Sequence, residues 1–240
     1  MSTNSTLLIP FIGDPVVPEI KIRARSYVDD KKMYFLFKRI FDVTVSFIIL
    51  AAILSWLLPL LALLIKLDSR GPVFFLQKRV GRGCRSFLCF KFRSMIFNAE
   101  ADRKQAVEND HRITRLGKFL RRSNLDELPQ FFNVLKGDMS IVGPRPHMHS
   151  DCNRFSAQIT AYKLRNLIRP GITGLAQTKG FTGPVIDFEE VFRRYQWDAY
   201  YVRSANFWLD VKIIRKTIYQ HVNLIFLPFF SSKPSSGFSL

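Results

Sequence analysis

The chain has 240 residues, and its 36 Lys and Arg against 19 Asp and Glu give a formal charge of +17 and a pI near 10.2. Such a chain attracts anions, which leaves nucleic acid, an anionic membrane surface or phosphorylated small molecules as candidate partners. The length fits one domain with appendages, and the three cysteines, which lack C-x-x-C spacing, predict neither a disulfide framework nor a zinc site.

The first strong feature along the chain is an uncharged segment from Val43 to Ile65, VTVSFIILAAILSWLLPLLALLI. The sequence before it has scattered Pro and Gly and predicts a loosely ordered leader. As one helix the segment would extend about 34 Å, enough to cross a bilayer core of about 30 Å. Pro59 cannot donate a hydrogen bond to the carbonyl of Ser55, so it predicts a kink or break about two thirds of the way along.

Basic residues flank this segment on both sides. They are Lys31, Lys32, Lys38 and Arg39 before it and Lys66, Arg70, Lys78 and Arg79 after it. A spanning helix normally leaves its outer flank poor in Lys and Arg. On the residues alone two arrangements stay open: a kinked single span, and a helix that enters, breaks at Pro59 and returns to the same face.

Two soluble elements follow. The β-prone runs in PVFFLQKRVGRGCRSFLCFKF meet at a GRG turn and predict a β-hairpin, with Phe90 and Phe92 on one face of its second strand and Lys91 and Arg93 on the other. The segment HRITRLGKFLRR predicts a basic amphipathic helix. Such a helix can lie on anionic lipid, or its apolar stripe can pack in the core; both readings stay open.

The stretch RRSNLDELPQFFN contains two adjacent carboxylates, Asp126 and Glu127. One reading is a capping box, with Asn124 as the N-cap and Glu127 three residues later. Pro129 argues against it, because inside such a helix it would remove a hydrogen bond to the carbonyl of Leu125.

A helix from about Pro129 to Lys136, closed by Gly137, fits the sequence better. It leaves the acid pair in the turn that leads to a helix N-terminus. Two carboxylates in that position can hold Mg²⁺, and the nearby helix end and arginines can hold a phosphate.

Two later loops, KGDMSIVGPRPH and IRPGITGLAQ, are rich in Gly and Pro, and each places one arginine in rigid surroundings. Arg145 lies between two prolines, and Arg169 precedes one. The planar guanidinium suits phosphate oxygens, and the prolines limit the entropy lost in placing it. His147 and His149 form an H-x-H without a third ligand nearby, a weak indication of metal binding.

Six ordered motifs lie within residues 38–218, a stretch that makes up about three quarters of the chain: KRIFDVTVSFIIL, KLDSRGPVFFLQKRVGRG, KFRSM, DHRITRLGKFLRRSNLDELPQFFNVLKGDMSIVGPRPH, RPGITGLAQ and FWLDVKIIRKTI. In these motifs the chain resembles the bacterial sugar transferases, also called monotopic polyprenyl-phosphate hexose-1-phosphate or phosphoglycosyl transferases. The resemblance is to the small catalytic core of that family.

The resemblance implies a mainly helical α+β fold. Its expected parts are one proline-broken re-entrant membrane helix, a small β-hairpin and a compact cytosolic catalytic domain with interfacial amphipathic helices. The corresponding boundaries are a leader at 1–36, a membrane-inserted helix at 37–66, a catalytic domain at 67–226 and a flexible tail at 227–240.

The resemblance also implies an activity. Members transfer a sugar 1-phosphate from a nucleotide sugar, expected here to be a UDP-sugar, to polyprenyl (undecaprenyl) phosphate. The expected location is the cytoplasmic face of the bacterial inner membrane, and the expected process is the start of exopolysaccharide, capsule or O-antigen synthesis. The expected partners are these substrates and the anionic membrane, with a second copy of the chain and downstream glycosyltransferases as further candidates and no nucleic acid.

The family's acid pair falls on Asp126 and Glu127. The implied route is ping-pong: Asp126 attacks the sugar-bearing phosphorus, and polyprenyl phosphate then takes the sugar phosphate from it. Both acids are expected to hold Mg²⁺, and Glu127 to help with the metal or with protons. The side chains expected to bind the diphosphate are Lys91, Arg93, Arg145 and Arg169.

The chain departs from the family pattern after GLAQ. Thr182 stands where many members carry an arginine, and Leu175 where many carry a tryptophan. We expect Thr182 to line the substrate site and the lost guanidinium to alter sugar preference or lower activity. Two other classes stay open on the sequence: a membrane-tethered nucleic-acid binder, whose binding would be salt-sensitive, and a basic scaffold without turnover.

Overall fold

The computed structural model of the chain describes residues 28–96, 110–183 and 187–230. The predicted leader up to residue 27 and the predicted tail from residue 231 lie outside the described residues. Eight α-helices occur in the described ranges: α1 Lys32–Ile49, α2 Ser55–Asp68, α3 Arg115–Arg122, α4 Gln130–Lys136, α5 His149–Gln158, α6 Leu175–Thr178, α7 Phe188–Ser204 and α8 Phe207–Phe230. Four strands accompany them: β1 Phe74–Val80, β2 Ser86–Phe92, β3 Ser140–Val142 and β4 Gly171–Thr173.

The mainly helical class and the small hairpin are thereby confirmed. The helix that contains the predicted membrane segment begins at Lys32, and α8 continues to Phe230.

The apolar segment stays helical from Lys32 to Asp68, with a π-helical turn at Leu50–Leu54 between α1 and α2. In that turn the Ser55 amide donates to the carbonyl of Leu50, and the Ser55 hydroxyl donates to the carbonyl of Ala51 at 2.6 Å. Pro59 lies inside α2, and the helix continues through it. The departure from α-helical geometry therefore precedes the proline instead of falling on it.

Among the described residues, Lys32–Asp68 is the one helix long and apolar enough to cross a membrane, judged by length and composition. Its large side chains are mostly uncovered: Phe47 is 64% exposed, Trp56 59% and Leu67 75%. An apolar surface of this extent predicts contact with lipid or another apolar partner.

Polar contacts join α1 to the rest of the protein. The Lys38 ammonium lies 2.7 Å from the Asp210 carboxylate on α8. Arg39 donates to the carbonyls of Val134 and Leu135, the last turn of α4, and Asp42 accepts hydrogen bonds from the Ser140 hydroxyl and the Ile141 amide on β3.

The second half of the apolar segment contacts the same protein body through apolar packing. Leu61 and Ile65 on α2 form a buried cluster with Phe92 on β2 and Leu120 on α3. Both halves of the helix are thus held by the folded domain, one by polar and one by apolar contacts.

The β1–β2 hairpin is antiparallel, with Phe74 opposite Phe92 and Phe75 opposite Lys91. Because residues directly opposite one another share a face, Phe75, Gln77 and Lys91 point to one side of the hairpin. Phe92 packs against α2 and α3 on the other side, as the alternation in the sequence predicts.

A second, parallel pair was not predicted from the sequence. Strands β3 and β4, which lie in the two Gly- and Pro-rich loops, pair through Ser140 with Gly171 and Val142 with Thr173. A Cβ atom at Gly171 would lie 2.1 Å from the amide nitrogen of Gly143, so the two backbones can approach only because both positions are glycine.

The amphipathic helix α3 uses its apolar stripe for packing. Leu120 is fully buried and Leu116 packs beside it, which supports the core reading, whereas Phe119 is 58% exposed. The Thr114 hydroxyl caps the helix by accepting from the Gly117 amide at 3.0 Å.

We expect Leu120→Ala to lower the free energy of unfolding by about 2 to 5 kcal/mol, because it leaves a cavity where α2, α3 and β2 meet. Phe119→Ala, one residue away on the exposed face, is the matched control and should change it by less than about 0.5 kcal/mol. Urea unfolding in detergent micelles, followed by tryptophan fluorescence, measures both. Equal midpoints for the two variants would contradict the packing described.

Candidate active site

A cavity of 310 Å³ opens between the β1–β2 hairpin, the turn after α3 and the loop after β3. Six of the residues predicted for the site line this cavity: Lys91, Arg93, Asp126, Glu127, Arg145 and Thr182. The structure therefore brings together the acid pair and most of the expected cations.

Arg169, which was also predicted for the site, does not line this cavity. The residues that follow it enter β4, and the pairing of β4 with β3 draws Arg169 towards the end of α4. There its Nε donates to the carbonyl of Gly137 at 2.9 Å, and the side chain lines a different cavity.

The acid pair lies in a 3₁₀ turn, Leu125–Glu127, directly before α4. Asn124 is left-handed, with φ of 54°, and its side-chain amide contacts His221 instead of capping a helix, so the capping box does not form. Helix α4 begins after Pro129 and ends at Gly137, which has φ of 92°. The prediction of a short helix between these two residues is confirmed.

Two cations hold Glu127. Arg145 binds it through both guanidinium nitrogens, at 2.7 Å and 3.2 Å, and the Lys91 ammonium lies 2.7 Å from Oε1. Burial opposes ionisation of Glu127, but Arg145 and Lys91 outweigh it and hold the pKa of Glu127 well below its usual range. Glu127 is therefore a fixed carboxylate that ties β2, the acid turn and the loop after β3 together.

Asp126 differs from its neighbour in having no salt bridge among the described residues. Burial raises the pKa of Asp126 to about 6, an effect that the charge of Lys91 opposes and that of Glu127 reinforces. Arg121 on α3 also lines the cavity, and its guanidinium is oriented by the Ser94 hydroxyl at 2.8 Å. Glu127 is thus neutralised by its two cations, whereas Asp126 is left available to a ligand.

Arg93 connects the long apolar helix to the cavity. Its Nη2 donates to the carbonyls of Ile65 at 3.1 Å and Ser69 at 2.5 Å, at the end of α2. Its Nε and Nη1 are buried and have no hydrogen-bond partner among the described residues. Buried donors of this kind are rare unless ordered water or a ligand completes them.

The backbone of Arg145 is held in place by a second, buried arginine. The buried Arg165 donates to the Arg145 carbonyl at 2.7 Å and forms an ion pair with Asp198 on α7, also at 2.7 Å. This buried pair fixes the backbone of the loop that carries Arg145.

The sequence did not single out several other cavity residues. Gln77 and Arg79 lie on β1, and Gln77 is on the same face as Lys91. The alternation of polar residues along that strand could have predicted these cavity residues. His147 was noted only as half of an H-x-H. Its Nδ1 meets the Tyr162 hydroxyl at 2.6 Å, and its buried Nε2 lacks a partner in the described part of the chain. Arg194 reaches the cavity from α7 and gave no local signal.

The two histidines do not converge on a metal, because His149 contacts Ser86 at 2.8 Å on the outer side of the hairpin. The two departures from the family pattern also separate. Thr182 lines the cavity, whereas Leu175 is buried in the core with Ile141 and Tyr201.

The acid pair has the oxygen donors that Mg²⁺ prefers. Asp126 has no competing ion pair, and Oε2 of Glu127 accepts only the longer of the two Arg145 hydrogen bonds, so it retains a lone pair. The described residues contain no group of three or more His, Cys, Asp and Glu side chains suited to a metal. Substrate phosphate oxygens and water would therefore have to complete the coordination.

Comparisons with known proteins agree on one family. A family model described as bacterial sugar transferase matches residues 33–223. A UDP-glucose:undecaprenyl-phosphate glucose-1-phosphate transferase of Klebsiella pneumoniae is 46% identical over 186 residues, which cover 77% of this chain and 40% of that protein. A UDP-N-acetylgalactosamine-undecaprenyl-phosphate N-acetylgalactosaminephosphotransferase of Aeromonas hydrophila is 45% identical over 78% of this chain and 44% of its own length.

A third relative has a similar length. The exopolysaccharide production protein PSS of Rhizobium leguminosarum bv. phaseoli is 43% identical over 191 residues, which cover 78% of this chain and 95% of that protein. The chain thus spans less than half of the first two relatives and nearly all of the third.

We expect Arg165→Met to lower the free energy of unfolding by about 3 to 5 kcal/mol, because it leaves Asp198 charged, buried and unpaired. Arg193→Met is the matched control, since Arg193 pairs with Glu189 on the exposed face of α7 and such pairs contribute less than about 1 kcal/mol. Urea unfolding in micelles compares the two. A loss for Arg165→Met no larger than that of the control would contradict the supporting role of the buried pair.

Proposed function

Because the chain belongs to the bacterial sugar transferase family, we propose that it transfers a sugar 1-phosphate from a UDP-sugar to undecaprenyl phosphate and releases UMP. Two relatives are named for this transfer, with glucose or N-acetylgalactosamine, and one for exopolysaccharide production. The proposed reaction is the first membrane step of exopolysaccharide, capsule or O-antigen synthesis. The observation that carries the proposal is the unpaired, buried Asp126 beside a Glu127 fixed by two cations.

In the first step a carboxylate oxygen of Asp126 attacks the phosphorus that bears the sugar. The bond from that phosphorus to the UMP oxygen breaks, and UMP leaves with the electron pair. In the second step a phosphate oxygen of undecaprenyl phosphate attacks the same phosphorus, and the bond to Asp126 breaks. The carboxylate is restored, and the product is an undecaprenyl-diphosphate-sugar.

The cavity residues have separate tasks in this scheme. Lys91 and Arg145 fix Glu127 and contribute positive charge, and the unpartnered Nε and Nη1 of Arg93 are available to phosphate oxygens. Mg²⁺, held by Asp126 and Oε2 of Glu127, would supply the charge neutralisation that lets a carboxylate approach a diphosphate. Thr182, which also lines the cavity, is proposed to contribute to the choice of sugar.

We propose that the apolar helix is re-entrant in one leaflet, on the cytoplasmic face of the inner membrane, and its contacts support the re-entrant part of this arrangement. Extended as one straight helix, Lys32–Asp68 would be roughly 55 Å long at about 1.5 Å per residue. Yet Arg39 near its start and Ile65 near its end both contact the same domain. A crossing helix would carry one of these contacts to the far side of the bilayer.

Cysteines introduced at Asp30 and at Ser69 should both react with an impermeant maleimide only after the inner membrane is opened, because a re-entrant helix keeps both ends on the cytoplasmic face. The background must be Cys84→Ser, since Cys84 is exposed and would react by itself. Labelling of either position from outside in intact spheroplasts would exclude re-entry.

Replacing Asp126 by Asn keeps the size of the side chain and removes the attacking charge. We expect turnover to fall at least a thousandfold, which corresponds to about 4 kcal/mol at about 1.4 kcal/mol per decade. Glu127→Gln should also be severely impaired, because it weakens the attraction to Lys91 and Arg145. UMP release is measured with purified protein, Mg²⁺, undecaprenyl phosphate and a panel of UDP-sugars.

The matched control is Glu189→Gln, an exposed carboxylate on α7 that should leave turnover unchanged. Thermal melting of all variants separates lost activity from lost fold. An Asp126→Asn protein that folds and retains a tenth of the wild-type rate would exclude a covalent role. A scaffold without turnover would release no UMP in the wild type either.

A further inference from the structure

A second cavity, of 240 Å³, lies at the start of the apolar helix and shares no lining residue with the first. Its charged lining includes Lys32, Lys38 and Arg39 on α1, Arg82 in the hairpin turn and Arg169 before β4. This is where the structure places the arginine that the sequence had suggested for substrate binding.

The cavity carries an excess of positive charge. Five cations face two carboxylates, those of Asp29 and Asp42. Asp42 already accepts hydrogen bonds from Ser140 and Ile141, and Lys38 pairs with Asp210. The remaining positive charge of the cavity is therefore largely uncompensated.

Several guanidinium nitrogens in the cavity have no hydrogen-bond acceptor among the described residues. Arg39 uses both terminal nitrogens on carbonyls of α4, but the side chain of Arg169 makes a single hydrogen bond to other described residues, from Nε to Gly137. Arg82 is exposed and has no hydrogen bond or ion pair from its side chain within the described ranges. Burial and the neighbouring charges of Arg39 and Arg82 lower the pKa of Arg169, and the charge of Asp42 offsets this only in part, as expected where guanidinium groups converge.

Exposed apolar side chains lie next to the cationic residues of the cavity on α1. Met33 is 63% exposed and Phe37 62% exposed, one residue after Lys32 and one before Lys38. At about 100° per residue, Leu36 lies roughly 40° around the helix from Lys32. An anion in the cavity that carried acyl chains could therefore lay them on the exposed side of α1.

We propose that this cavity binds a phosphate group, and specifically the headgroup phosphate of an anionic phospholipid. Arg82 and Arg169 supply the uncommitted guanidinium donors, and Lys32 adds charge at the rim. The bound headgroup would hold the first turns of α1 at the membrane surface. The site is independent of the proposed transfer reaction, because it uses neither the acid pair nor the residues around it.

The test is native mass spectrometry of the detergent-solubilised full chain, titrated with phosphatidylglycerol. The variants are Arg82→Gln and, as the matched control, Arg85→Gln, which removes the same charge from the same turn but lies outside the cavity. We expect Arg82→Gln to weaken the tightest phosphatidylglycerol binding at least fivefold and Arg85→Gln to leave it unchanged. Arg82→Gln combined with Arg169→Gln should weaken it further.

Two arms distinguish the source of the phosphate. Phosphatidylcholine, whose headgroup has no net charge, should bind at least fivefold more weakly than phosphatidylglycerol to the wild type. Millimolar inorganic phosphate should not displace the lipid. Equal lipid binding by Arg82→Gln and Arg85→Gln would overturn the site, and displacement by inorganic phosphate would overturn the assignment to a lipid. None of these measurements requires turnover, so their outcome does not depend on the proposed function.

Discussion

The bidentate contact between Arg145 and Glu127, reinforced by Lys91, is the interaction on which the candidate site depends. It joins a strand, a turn and a loop that are distant in sequence. The two cations pair with Glu127, so that Asp126 is buried without an ion pair within the described residues. Two adjacent carboxylates thereby acquire different properties, one fixed and ionised and the other available for chemistry.

Elsewhere in the described structure, too, some basic side chains make structural contacts and others have donors without a partner. Lys38, Arg39 and Arg165 make buried or partly buried contacts that hold the helices in place. Arg93 lines the first cavity and Arg82 the second, and both have donors without a partner in the described part of the chain. Part of the charge of +17 thus lies in two cavities, where we propose that it binds phosphate groups.

Local signals in the sequence predicted much of this arrangement. The hairpin followed from strand alternation and a glycine-rich turn, and α4 followed from Pro129 and Gly137. The two acids and four of their expected cavity partners do line one cavity. The features that the sequence did not predict depend on contacts between residues far apart in the chain. The pairing of β3 with β4 depends on two glycine backbones that meet across the chain, and it carries Arg169 away from the acid pair. Arg194 reaches the cavity only through the packing of α7, which no nearby residue encodes.

The central claim is that Asp126 forms a covalent bond to the sugar phosphate. The most direct measurement is intact-protein mass spectrometry of the wild type and Asp126→Asn after incubation with Mg²⁺ and a UDP-sugar, without undecaprenyl phosphate. We expect the wild type to gain the mass of one sugar phosphate, peptide mapping to place it on Asp126, and hydroxylamine to remove it. We expect Asp126→Asn to gain nothing. A wild type that turns over UDP-sugar with acceptor, yet gains no such mass when the acceptor is withheld and the reaction is quenched rapidly, would contradict covalent catalysis by Asp126.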